Sequence, residues 1–142
     1  MSNLSPFHLA IPVKNLAAAR TFYRDIIKCS EGRSDKQWVD FDFYGHQLVI
    51  HEIAPSAESD KENHNPVDGH EVPIPHFGVV LEMTLWKDLS ERLKSHSIDF
   101  LIEPHVRFEG QPGEQATMFF KDPSGNVLEF KAFKNLSQLF AK

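Results

Sequence analysis

The chain of 142 residues holds one cysteine, Cys29, so no intrachain disulfide can brace it. A reducing, cytoplasmic setting is therefore expected. Basic runs are missing too: 15 Lys and Arg are scattered among 20 acidic residues, for a net charge of −5. That pattern lacks the basic stripe a nucleic-acid partner needs. Apolar runs extend only a few residues, too short to span a bilayer, so no membrane partner is expected. The opening MSNLSPFH has neither a basic n-region nor an apolar h-region, so no secretory signal is expected. What the chain does have is 41% hydrophobic residues, including twelve Phe, enough for one compact domain over 1–142. Eight histidines are the unusual count, and they raise the question of a metal.

Residues 6–13, PFHLAIPV, alternate as a half-buried strand does. Phe7, Leu9, Ile11 and Val13 share one face; His8, Ala10 and Pro12 share the other. Asn15 is placed to cap a helix over LAAARTFYRDIIK, with Leu16, Ala19, Phe22, Tyr23 and Ile26 in one stripe. KQWVDFDFY and HQLVIHEI alternate on either side of Gly45, like a hairpin. Module one, about 5–53, thus reads β-α-β-β-β. Residues 54–75 are polar and aperiodic with four prolines, which suits a linker or a lid.

The pattern restarts in module two, about 76–133. HFGVVLE reads as a strand with Phe77, Val79 and Leu81 on one face. LWKDLSERLKSHS reads as a helix with Leu85, Leu89 and Leu93 in register and Thr84 as a cap. FLIEPHVRF, QATMFFKD and NVLEFKAF follow as strands, with a turn at Asp122-Pro123-Ser124-Gly125. The tail, 134–142, reads as a short helix. FHLAIPV and HFGVVLE superpose, His8 on His76 and Ala10 on Gly78. The fold class expected is α+β, two βαβββ modules with pseudo-two-fold symmetry.

Alternation then selects candidates for chemistry. His8, His76 and Glu129 each oppose the apolar residues of their strand, so all three turn toward a shared cleft. Two imidazoles and one carboxylate form a facial triad with open positions, the set associated with Fe(II); Mn, Ni, Zn or Co also fit. A lone strand histidine is more often simply hydrogen-bonded, so the argument rests on the joint pattern. His51 is a candidate fourth ligand by pseudo-symmetry with Glu129, although aligning Gly45 with Gly125 sets Val49 there instead. His46 and His51 are candidate proton carriers. His105 and Arg107, two residues apart on one strand, are candidate substrate-binding residues. His64, His70 and His96 read as surface residues.

FHLAIPVKNLAAARTFYRDII and DPSGNVLEFKAF resemble the first strand and helix and the last hairpin of the vicinal-oxygen-chelate superfamily. That superfamily includes glyoxalases, bleomycin resistance proteins and extradiol dioxygenases. VPIPHFGVVL with VRFEGQPGEQATMFFKDPSGNVLEFKAF looks like its small extradiol-dioxygenase-like subgroup. The resemblance implies an open, incompletely closed β-barrel cleft and a divalent metal on His8, His76 and Glu129. It implies a metal-dependent dioxygenase acting on a small, catechol-like, oxygen-chelating molecule. A glyoxalase- or epimerase-like lyase or isomerase, or a resistance-type binding protein without turnover, are the alternatives. The partners expected are a small-molecule substrate and, in a homodimer, a second copy of the chain.

Overall fold

The computed structural model describes residues 4–54, 63–67 and 69–142. They divide into two compact units, Met1–Asp60 with Asp122–Asn126, and Lys61–Lys121 with Val127–Lys142.

The first unit is built on an open four-stranded sheet, β1 (His8–Val13), β2 (Ser30–Asp35), β3 (Trp38–Phe43) and β4 (His46–Glu52), in the order β1-β4-β3-β2. β1 runs parallel to β4, with His8 opposite Gln47 and Pro12 opposite His51. Ile11, Val13, Leu48 and Ile50 are buried on one face, while Phe7, expected there, is exposed beyond the end of the strand. Helix α1 (Leu16–Thr21) starts as expected, with Asn15 Oδ1 accepting from the Ala18 N–H at 2.9 Å. It continues as a π-helical turn over Phe22–Ile26. The wider turn advances the apolar stripe by one residue, so Ile27 is buried in place of Ile26.

Tyr23 is fully buried, its ring 5.8 Å from that of Phe41. Its hydroxyl donates to Asp122 Oδ2 at 2.7 Å. Asp122 also accepts from the N–H groups of Ser124 and Asn126, and this turn is tied to β1 by Asn126 Nδ2 donating to the Pro12 carbonyl. Burial, reinforced by the charge of Asp122, pushes the Tyr23 hydroxyl well above its ordinary pKa of 10.0.

The second unit repeats the plan. β7 (Val80–Leu81), β8 (Phe100–Arg107), β9 (Gln115–Lys121) and β10 (Val127–Phe133) form an open sheet in the order β7-β10-β9-β8. Helix α2 (Met83–Ser95) packs on β10, where Leu128, Phe130 and Ala132 are fully buried. The helix begins earlier than expected, at an N-cap, Glu82, whose side chain makes no capping hydrogen bond, so Thr84 is not the cap. Its buried stripe is Trp86, Leu89, Ser90 and Leu93, with Leu85 exposed. Trp86 fixes this rotation, because its indole Nε1–H must find a partner when buried and donates to the Phe130 carbonyl at 2.8 Å.

The strand expected over 76–82 is regular only at Val80–Leu81, with an isolated bridge from Phe77 to Leu128. Gly78 explains the tight fit between them: a Cβ there would lie 1.6 Å from the Glu129 carbonyl oxygen. The segment 54–75 contains an antiparallel hairpin, β5 (Asn63–Val67) and β6 (His70–Ile74), in which His64 pairs with Pro73. The tail forms a single 3₁₀ turn, Leu136–Gln138.

Candidate functional site

On β10, Glu129 and Lys131 point away from the helix-packed face. Register carries that face across the sheet: Glu129 lies opposite Phe119, and Lys131 opposite Thr117. Thr117 in turn lies opposite His105, and Gln115 opposite Arg107. The hairpin supplies Val67, His70 and Val72, and together these residues line a cavity of about 200 Å³ with His76 and Ile102. All of them belong to the second unit. A further hollow of about 250 Å³ along β7 shares His76, Glu129 and Lys131.

His76 and Glu129 meet at the cavity floor, Nε2 to Oε1 at 3.2 Å. The His76 Nδ1 lies 2.7 Å from the Pro73 carbonyl. A carbonyl only accepts, so Nδ1 carries a proton, and Nε2 is the nitrogen turned toward the carboxylate. The other carboxylate oxygen accepts from the Thr117 hydroxyl at 2.5 Å. Lys131 Nζ stands 4.0 Å from that same oxygen. Phe119 packs edge-on to His76, with ring centroids 5.0 Å apart. Two acceptors facing at 3.2 Å repel unless a cation, a proton or a metal ion, lies between them.

The donor chemistry suits a divalent ion. Imidazole Nε2 and carboxylate oxygen are its common ligands, with bonds of about 2.0–2.2 Å. Two such donors 3.2 Å apart span an edge of the size that neighbouring ligands make. The Nδ1–H held by a backbone carbonyl is the outer contact that fixes ligating histidines. Among the described residues, no group of three or more His, Cys, Asp or Glu is gathered to hold an ion, so the pair stands as a two-donor set.

His8 lies in the first unit. There its Nδ1 donates to Gln47 Oε1 at 2.8 Å, and Gln47 Nε2 donates to Asp40 Oδ2 at 3.3 Å. Its Nε2 is thus also left with the lone pair. His51 shares this sheet face but stands opposite Pro12, four residues along β1 from His8, about 13 Å at strand spacing. Side chains that leave a sheet in parallel at that separation do not converge, so this register speaks against His51 joining His8 around one ion. Gln47 takes the place beside His8. His46 begins β4, where its Nδ1 accepts the Phe7 N–H at 2.8 Å.

His105 and Arg107 both line the cavity. The His105 Nδ1 donates to the Glu103 carbonyl at 2.9 Å, again leaving Nε2 as an acceptor. The Arg107 guanidinium lies 5.0 Å over the Phe108 ring. His70, exposed as expected, also lines the cavity, its ring 6.0 Å from that of His105. His96 caps the end of α2. The sequence reading missed Thr117, Lys131, Gly78 and the pairing role of Gln47. Lys131 was readable in principle, since it lies two residues from Glu129 on an alternating strand.

Residues 5–130 match the family model described as Glyoxalase/Bleomycin resistance protein/Dioxygenase superfamily. A glyoxalase/bleomycin resistance protein/dioxygenase from Alicyclobacillus acidocaldarius is 32% identical, with a TM-score of 0.75 over 99% of this chain and 100% of that one. A fosfomycin resistance protein from Listeria monocytogenes is 21% identical, with a TM-score of 0.63 over 93% of both chains. A lactoylglutathione lyase from Agrobacterium tumefaciens is 17% identical, with a TM-score of 0.64 over the full length of both. The latter two are alike in fold alone. No curated protein is significantly similar to the chain. Motifs, strand order and these likenesses agree, and the chain belongs to the glyoxalase/bleomycin resistance protein/dioxygenase superfamily.

Proposed function

We propose that this protein is a divalent-metal-dependent enzyme that acts on a small, oxygen-chelating molecule in the cavity of the second unit. The observation that supports this reading is the contact of His76 Nε2 with Glu129 Oε1, two atoms that a divalent ion can bridge. His76 and Glu129 would hold the ion, and His8 is the third ligand in this proposal. The chemistry supplied by such an ion is stabilisation of negative charge on vicinal substrate oxygens.

The chain's own residues have separate tasks. Thr117 holds one oxygen of Glu129 so that the other faces His76. Val72, Ile102 and Phe119, all buried, give an apolar wall suited to a single ring. His105, with Nε2 as acceptor, takes the proton of a substrate hydroxyl.

The finer reading is an extradiol-type dioxygenase that opens a catechol-like ring with Fe(II) and O₂. Three protein ligands leave room for two substrate oxygens and O₂, and the separation of His51 from His8 supports that count. A second reading, an enolising lyase or isomerase, is favoured by Lys131 beside the Glu129 carboxylate, where a cation would steady an enolate. The test is to load the protein with Fe(II) anaerobically and offer a panel of catechols. Oxygen uptake with ring-cleavage absorbance is expected. Turnover of an enolisable substrate with Mn, Ni, Zn or Co, and no oxygen uptake, would establish the second reading. Failure to retain any divalent ion would sink both.

A further inference from the structure

His8, Gln47 and Asp40 form a polar row across the first sheet. β1 brings His8 opposite Gln47 of β4. Gln47 stands diagonally from Asp40 on β3, whose direct partner is Val49. The whole row belongs to the first unit. Gln47 Nε2 lies 3.3 Å from Asp40 Oδ2, and Gln47 Oε1 lies 2.8 Å from His8 Nδ1. Asp42, the direct partner of Gln47, accepts instead from the Gly45 N–H at 2.7 Å. The row has a direction. The oxygen and nitrogen ends of a glutamine amide have nearly the same size, so its orientation follows from what it meets. A carboxylate only accepts, so Asp40 draws the NH₂ end and turns the oxygen toward His8. That oxygen only accepts in turn, so a neutral His8 keeps its proton on Nδ1, and Nε2 is the nitrogen able to bind an ion. Ligating histidines are commonly fixed by the group they touch. Here the deciding charge stands one residue further back.

We propose that Asp40 is a positioning residue: acting through Gln47, it holds the proton on His8 Nδ1 and reserves Nε2 for the divalent ion. The inference rests on the function proposed above for the ion alone. The place of the proton on the ring is a property of the metal-free protein. With Asp40 neutralised, the Gln47 amide is free to turn over. Its NH₂ end then favours the opposite tautomer of His8, in which a proton blocks Nε2.

The test uses full-length protein stripped of metal with a chelator and held at about pH 8, above the ordinary histidine pKa of about 6.5, so that only the neutral tautomers count. Nitrogen–proton NMR correlation spectra distinguish them, and the His8 signals are those absent from His8→Gln. Wild type should hold the Nδ1–H form as the major species. Asp40→Asn should move the population toward Nε2–H and weaken Zn or Mn binding on the order of 10-fold in equilibrium dialysis. Asp42→Asn should do neither. The double variant Asp40→Asn, Gln47→Glu moves the carboxylate to position 47, where it accepts from both neighbours, and should restore both readouts. A merely structural role of Asp40 would not be rescued in this way. Wild type in the Nε2–H form, an unmoved population in Asp40→Asn, or a double variant that stays impaired each overturns the proposal. A population that moves without any change in ion affinity overturns it too, since His8 is then not a ligand; the metal reading survives that result if Glu129→Gln still loses affinity. Wild type that retains no divalent ion sinks the metal-enzyme reading and the ion end of this proposal with it, while the tautomer populations still decide the hold of Asp40 on His8.

Discussion

In the first unit His8 donates to a neutral amide, Gln47, on the strand beside it. In the second unit His76 faces a carboxylate, Glu129. The first contact joins a donor to an acceptor and is complete as it stands. The second joins a ring nitrogen to a carboxylate and is complete only with a cation between them, a proton or a metal ion. The register differs as well. His8 lies directly opposite Gln47, whereas Phe77 lies opposite Leu128, which sets Glu129 two residues further along its strand than the level of His76. One strand order thus carries two different polar pairs, and the hairpin lines a cavity beside the second.

The sharpest way to break the second pair is through backbone. A Cβ at Gly78 would meet the Glu129 carbonyl oxygen at 1.6 Å, so Gly78→Val must push β10 away. We expect a cost of about 3 kcal/mol or more, read as a lower denaturation midpoint. Ala10, which superposes on Gly78, is exposed, and Ala10→Val should change stability by about 0.5 kcal/mol or less. Equal effects at the two positions would erase the distinction between the units.

Glu129→Gln comes next. It turns the second pair into a copy of the first, and divalent-ion affinity should fall on the order of 100-fold, or about 2.7 kcal/mol. Equilibrium dialysis with Mn or Zn reads this directly. Unchanged affinity would remove Glu129 from the ligand set.

The first unit offers a stability test of its own. Tyr23→Phe removes a buried hydroxyl from Asp122 and should cost about 1–3 kcal/mol. Because the folded pKa of Tyr23 is raised above 10.0, the native state holds this proton more tightly than the unfolded chain does. Its contribution is complete below pH 10 and declines as pH rises beyond it. The variant should flatten that alkaline decline, and an unchanged profile would contradict the linkage.

The smallest effect concerns Glu31, whose pKa is lowered from 4.5 mainly by its hydrogen bond to Arg20. Its contribution is present above pH 4.5 and is lost as pH falls below it. Arg20→Met should shallow the acid limb of the melting curve slightly, because the half-buried pair is still partly screened by water.

Sequence patterning carried much of this architecture. Alternation on β10 was enough to turn Glu129 away from Leu128 and Phe130, and on β8 to set His105 and Arg107 on one face. Asn15 announced its helix because an N-cap is a local interaction. What escaped the sequence depends on partners distant in the chain. The stripe of α2 is rotated by an indole seeking the Phe130 carbonyl. The place of Gln47 beside His8 follows from a parallel register that no turn dictates, which is why His51 looked equally suited. The β5–β6 hairpin is built from Asn, His and Pro with little alternation. Gly78 resembled an ordinary strand glycine until its neighbour was known.

The turn at Asp122–Asn126 has a consequence for how the chain can be made. It groups with the first unit, and it supplies the carboxylate that accepts the Tyr23 hydrogen bond, 99 residues away in sequence. During synthesis the amino-terminal half leaves the ribosome well before that carboxylate exists. Until then, burying Tyr23 would strand its hydroxyl without an acceptor. The amino-terminal half is thus held back from completion by a segment translated near the end. A gene fragment encoding only residues 1–60 would yield a chain missing part of its own interior, and supplying the turn in trans would be the way to restore it.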